Sequence, residues 1–113
     1  SDEEIGEAYS RCSFTVFPSL KEGFGLPILE SIWFGKPVVC HHGSAMREVA
    51  ESGGGCITTD MSDASKIAEA ITRLVTDFSL FEKLSNECLV RPMKTWAEYS
   101  SEVTKIVDSA CII

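Results

Sequence analysis

Phe14-Thr15-Val16-Phe17-Pro18-Ser19-Leu20-Lys21-Glu22-Gly23-Phe24-Gly25-Leu26-Pro27-Ile28-Leu29-Glu30 reads as a strand, a loop and a helix in succession. The apolar run Phe14–Phe17 shows no polar alternation and stops at Pro18, which predicts a strand covered on both faces. Ser19 to Gly25 predicts a loop. Leu26 to Phe34 predicts a helix, with Pro27 in a first turn that needs no N–H and Gly35 as the stop. The same grammar repeats downstream. Pro37-Val38-Val39-Cys40 is a second apolar strand, followed by a loop at His41–Ser44 and a short helix at Ala45–Glu51. Gly53-Gly54-Gly55 turns the chain into a third strand, Cys56–Thr59. Asp60 to Asp63 then caps an amphipathic helix whose apolar positions are Ile67, Ala68, Ile71, Leu74 and Val75. Another helix covers Leu80–Val90 and stops near Pro92. A last one runs from Thr95 or Trp96 to Asp108. Upstream, Ser1 with Glu4 three residues on reads as a helix start, and that helix should reach Arg11. Strands alternating with helices predict an α/β fold built on a parallel sheet.

The chain has 113 residues, which suits one domain and not two. An apolar fraction of 44% and a charged fraction of 24% exclude a disordered tail or a coiled-coil rod. No apolar run has the length of a membrane span. Ten basic and 17 acidic residues give a formal charge of -7, the wrong sign for a nucleic-acid backbone binder. Cys12, Cys40, Cys56, Cys88 and Cys111 are odd in number and lack C-x-x-C spacing. They predict reduced, buried thiols in a cytosolic protein rather than a disulfide scaffold. Cys40-His41-His42 could offer metal ligands, but adjacent histidines rarely face one ion and no second pair has zinc-like spacing, so no metal is expected.

Three short strands make a small sheet for this architecture. Phe14–Phe17 carries none of the charges or prolines that protect an edge. The expectation is that residues upstream of Ser1 supply further strands. The alternative is that Thr95–Asp108 covers that edge.

The segment EGFGLPILE, Glu22 to Glu30, lies after the carboxyl end of the first strand, where open α/β sheets place ligands. Gly23 and Gly25 let backbone N–H groups approach a ligand, and the start of the next helix adds its positive end. Together these suit a phosphate or diphosphate. Glu30 falls on a helix that is apolar nearly all round, where a charge needs a partner or a ligand. Glu22 precedes the glycines. One carboxylate therefore lies near each end of a diphosphate, and both could accept hydrogen bonds from sugar hydroxyls. A helix-capping Glu22 and a core-paired Glu30 are the plainer alternative, and the chemistry alone leaves both open.

Glu22-x7-Glu30 resembles the hallmark of retaining glycosyltransferases of the GT-B fold, family 4 or group 1. The resemblance extends to both sides. Ala8–Cys12 with Phe14–Ser19 looks like that family's helix and VFPS strand, and Gly35–Val39 like its G-x-P-V-V turn and strand. Gly54-Gly55-Cys56-Ile57 resembles its next strand, and Trp96 the aromatic that opens its terminal helix. Arg47 departs from the pattern, since the family usually has Pro before Glu48-Val49.

The resemblance implies a partial Rossmann-like parallel sheet with flanking helices, the C-terminal part of a donor-binding domain. Residues 1–94 would form that part and 95–113 the C-terminal helix of the same domain. Glu22 would lie beside the transferred sugar as the catalytic carboxylate. Gly23, Phe24, Gly25 and Leu26 would offer N–H groups to the sugar and diphosphate, and Glu30 would hold the ribose hydroxyls. The implied reaction transfers a sugar from a nucleotide-diphosphate sugar to a glycan, lipid-linked or small-molecule acceptor with retention of configuration. No metal or cofactor beyond that donor is implied. The family's diphosphate-binding Arg and Lys and its acceptor domain lie upstream, so a fragment inactive on its own is expected. Any membrane association would belong to that upstream part. The alternatives are a non-catalytic nucleotide-sugar-binding or assembly module and an epimerase of the same fold. A phosphorylase would need a cofactor lysine in the site, and no candidate is visible.

Other features have plainer readings. Arg47 and Glu48, near the ligand end, could touch the nucleotide or form a surface ion pair, while Trp33 and Phe34 suit a core and Gly53–Gly55 a turn. Asp63, Glu69, Arg73 and Asp77 suit a solvated helix face.

Overall fold

The protein is described by a computed structural model. It describes residues 2–20 and 26–91, together with the helical positions Ser101 and Thr104. The expected Ser1 cap, the Lys21–Gly25 part of the loop and the expected terminal helix, apart from those two positions, lie outside the described residues.

The elements follow in the order α1 (Asp2–Arg11), β1 (Thr15–Val16), α2 (Leu26–Trp33), β2 (Val38–His41), α3 (Ser44–Glu51), β3 (Cys56–Thr59), α4 (Ala64–Thr76) and α5 (Phe78–Val90). The strands form one sheet in the order β1-β2-β3, parallel throughout. Thr15 pairs with Val38, and Val38 with Cys56. Parallel pairing requires a crossover after each strand, and α2 and α3 supply the two within the sheet.

Alternation along β2 divides the core. Val38 and Cys40 point to one face, where they pack with Ile28 and Ile32 of α2, Met46 and Ala50 of α3, and Cys88 of α5. Val39 points to the other face, against Met61 in the turn before α4, Ala70 and Leu74 of α4, and Leu84 of α5. One helix, α5, therefore touches both clusters. β2 is covered on both faces, as apolar runs in parallel sheets are.

β1 differs from its expected form. It spans two residues, and Val16 is 36% exposed. Phe17 packs on the first cluster and Phe14 on the second. The helix α4 covers the β2 side of that second face and leaves Val16 open. Among the described residues, β1 has one strand neighbour.

Helix ends carry their own chemistry. Asp63 caps α4 by accepting from the N–H groups of Ser65 and Lys66, and Asp77 caps α5 by accepting from Leu80 N–H. Asp77, Glu69 and Arg73 are exposed and Asp63 half-buried, so the expected solvated face is present and its two aspartates also serve as caps. The buried stripe of α4 runs through Ala70 and Leu74, flanked by half-buried Ile67 and Ile71, while Ala68 and Val75 are exposed. Gly35 has φ 75 and ends α2. Its N–H bonds Ile32 O at 2.8 Å, and Lys36 N–H bonds Ser31 O at 2.9 Å, the paired pattern of a Schellman stop.

The turn into β3 is held by α5. Gly55 has φ 86, and a Cβ there would stand 2.7 Å from Cys88 Sγ. Arg91, just past α5, donates from Nη1 to Gly54 O at 3.0 Å and from Nη2 to Val49 O and Ser52 Oγ, both at 2.7 Å. The three glycines are a packed turn, as their sequence predicts.

Candidate functional site

Each strand's carboxyl end leads into a loop and then a helix, so the loops before α2, α3 and α4 gather at one edge of the sheet. That edge is where α/β sheets bind ligands. Leu26 opens α2 at this edge. Glu22, Gly23, Phe24 and Gly25 lie outside the described residues. Glu30 stands one turn further along α2, about 6 Å from Leu26 along the axis at 1.5 Å per residue.

Glu30 is exposed. The helix is not buried all round: Glu30, Trp33 (60% exposed) and Phe34 just past its end (41%) face outward, while Ile28, Ser31 and Ile32 face the sheet. Trp33 and Phe34 are therefore not core residues, and burial does not force a partner on Glu30. Its place follows from helix geometry, with Ile28 and Ile32 dictating which face turns inward.

Tyr9 of α1 flanks this outward face. Its ring stacks on Phe34 with centroids 4.5 Å apart and planes within 5°. Burial first, and then the nearby Glu30 carboxylate, push the Tyr9 phenol above its usual value of 10.0. An ionised Glu30 so disfavours a second negative charge beside it. The sequence offered no signal for this neighbour, because Tyr9 reads as an ordinary helix residue.

The same edge holds a polar cluster. His41 ends β2, His42 follows it, and Asp60 follows β3, with one potential ligand atom of each within 4.8 Å of the others. Asp60 was not visible as a partner in sequence; its place after a strand end is the signal that could have found it. Met61 N–H donates to His41 Nδ1 at 3.2 Å. The two imidazoles lie 4.6 Å apart with planes tilted by 34°. The three ligand atoms lie close enough together to share a cation, a convergence that the adjacency of two histidines did not suggest. Asp60 Oδ1 accepts from Ser62 N–H at 2.9 Å and from Ser62 O–H at 2.5 Å. Those hydrogen bonds, the hydroxyl's before the amide's, hold the Asp60 carboxyl below its usual range. Arg47 pairs with Glu51 at 2.9 Å rather than with Glu48.

Cys12, Cys40, Cys56 and Cys88 are free thiols, with Cys40 and Cys88 buried. Burial pushes Cys88 up to about 11. Such a thiol is a weak nucleophile near neutral pH.

Residues 1–88 match the family model described as glycosyl transferases group 1. The chain belongs to the group 1 glycosyl transferases. It is 37% identical over 78 residues to the O-antigen chain mannosyltransferase B of Escherichia coli, covering 69% of this chain and 20% of that protein. It is 25% identical to the MMP alpha-(1->4)-mannosyltransferase of Mycolicibacterium hassiacum over 97% of this chain and 28% of the relative. A sucrose synthase of Melioribacter roseus is 30% identical over 92% of the chain and 14% of its own length. The chain thus spans well under a third of each of these relatives. Its three-stranded parallel sheet with flanking helices is the Rossmann-like α/β arrangement expected of such a glycosyltransferase. No helix among the described residues is long and apolar enough to cross a membrane.

Proposed function

We propose that this chain forms part of the donor site of a retaining group 1 glycosyltransferase of family 4, which moves a sugar from a nucleotide-diphosphate sugar to a glycan acceptor. The observation that carries the reading is the position of Glu30. It stands one turn into a helix that opens at the ligand edge of a parallel sheet and follows Glu22–Gly25 in sequence. Family membership supplies the reaction class. The relatives' names make mannose the first donor sugar to test.

The chemistry follows from charge. Departure of the diphosphate leaves positive charge at the anomeric carbon and negative charge on the phosphates. Glu22 is assigned to the first charge, touching the sugar. Backbone N–H groups of Gly23, Phe24, Gly25 and Leu26, at the positive end of α2, are assigned to the second. Glu30 accepts hydrogen bonds from the ribose hydroxyls and fixes the nucleotide along the helix. Acceptor binding is assigned to the remainder of the enzyme, in line with the small share of each relative that this chain spans. Activity of the 113-residue chain by itself is not expected. Free thiols suit a cytosolic location.

The test is saturation-transfer NMR of the full-length protein with UDP, GDP and ADP, repeated with Glu30→Ala. Transfer to the ribose protons of one nucleotide, lost in the variant, is the expected result. Equal transfer in the variant would remove Glu30 from the site, and no transfer to any nucleotide would remove the donor-site reading.

A further inference from the structure

Among the described residues, Ser31 is the one polar side chain fully shut away from solvent, at 0% exposure. Its hydroxyl has a single proton, and it donates that proton to Lys36 O at 2.9 Å. The 2.6 Å contact between Ser31 Oγ and Thr15 Oγ1 must then run the other way, with Thr15 O–H as the donor. The result is a directed relay from Thr15 on β1, through Ser31 on α2, to the carbonyl of Lys36 in the turn that enters β2. The backbone carbonyl of Ser31 also accepts from Lys36 N–H at 2.9 Å, so both parts of Ser31 grip the same residue.

A small apolar pair would fill this space without any relay. Burying the Ser31 hydroxyl costs free energy unless it is bonded, and the observed orientation of α2 against β1 lets it bond Lys36 O and the half-buried Thr15 hydroxyl together. The relay therefore sets the azimuth of the helix. Adjacent helical side chains point about 100° apart at 3.6 residues per turn. Fixing the direction of Ser31 fixes that of Glu30 beside it. A helix rotation of about 15° at a side-chain radius of about 5–6 Å would carry the Glu30 carboxylate about 1.4 Å sideways. That exceeds the latitude of a hydrogen bond.

We propose that Thr15 and Ser31 are positioning residues that aim Glu30 at the ribose of the donor nucleotide. The proposal rests on the donor-site reading of Glu30. It separates from a merely structural role because it predicts a change in selectivity toward the ribose, beyond any change in stability.

The experiment measures affinity of the full-length protein by calorimetry for GDP, UDP and ADP and for their 2′-deoxy counterparts. For whichever nucleotide binds, wild type should prefer the ribose form by about tenfold or more, the worth of a hydrogen bond to a charged group. Glu30→Ala should abolish that preference. Thr15→Val, which keeps shape and removes the donor, and Ser31→Ala should reduce it to about twofold. Thr15→Ser, which keeps the donor, should retain it. Melting temperatures are recorded in parallel. If Thr15→Val and Ser31→Ala keep the wild-type preference, the relay is structural and the proposal is overturned, whatever happens to stability. Should Ser31→Ala fail to fold, the Thr15 pair decides. A wild-type preference unchanged in Glu30→Ala, or no nucleotide bound at all, overturns the donor-site reading first and this proposal with it.

Discussion

The β1–α2 unit and the β3–α4–α5 unit lie on either side of β2 and are built in opposite ways. In the second, each helix begins on an aspartate that caps it locally, and each presents an apolar stripe set by its own sequence. In the first, a two-residue strand leads to an eight-residue helix with an outward apolar flank and a buried hydroxyl relay. One unit is specified within itself and serves as scaffold. The other is specified by contacts across the chain and carries the carboxylate assigned to the ligand. On the proposed reading, hydrogen bonds between β1 and α2 add precision at the candidate site to the apolar packing that both units share.

Truncating a buried side chain on each side is the strongest challenge to that contrast. Leu74→Ala and Ile28→Ala should each cost about 2–5 kcal/mol, seen in urea midpoints. Nucleotide affinity should be unchanged in the first variant and weakened in the second. Equal binding losses would show that the two units are not separable. Glu22→Ala comes next: its turnover should fall on the order of 10²- to 10³-fold with the melting temperature unchanged. A large loss of stability instead would make Glu22 a structural cap.

How much of this was legible in the sequence follows the same division. The sequence places the third strand at Cys56–Thr59, where it lies, and Asp63 among the residues that cap α4, as it does. These signals are local. On α4 the inward stripe shifts to include Ala70 rather than Ala68 or Val75, because helical spacing alone does not fix which flank meets Val39 and Met61. Trp33 and Phe34 read as core in sequence yet are exposed, since a helix apolar on many sides does not declare which one faces the sheet. The Thr15–Ser31 relay joins residues 16 apart, and His41 meets Asp60 from a different strand; no local pattern encodes either. Glu22 and Glu30 are proposed on the family pattern; Glu30 lies on the expected helix, and Glu22 lies outside the described residues.

Smaller effects sharpen the picture of the scaffold. Asp63→Ala should lower stability by about 1 kcal/mol, through loss of the bonds to Ser65 and Lys66 N–H, and leave nucleotide affinity unchanged. The smallest effect is alkaline. Cys88 holds its proton to about 11 in the folded protein, against 9.0 for an unperturbed thiol. Below pH 9 both states keep the proton and stability is unaffected. Between pH 9 and 11 the unfolded chain releases it first, so stability falls as pH rises. Urea midpoints across that interval should decline less steeply in Cys88→Ala.

Arg91 has a consequence for the order of events in folding. Its partners, Gly54 and Val49, lie 37 and 42 residues earlier in the chain. Closing so long a loop costs entropy that nearby contacts do not, so such a bond belongs late on the path, after β3 and α5 have met. A contact absent from the transition state affects the rate of escape rather than the rate of arrival. Arg91 is then a latch on a finished structure, governing how long the turn into β3 stays shut once formed.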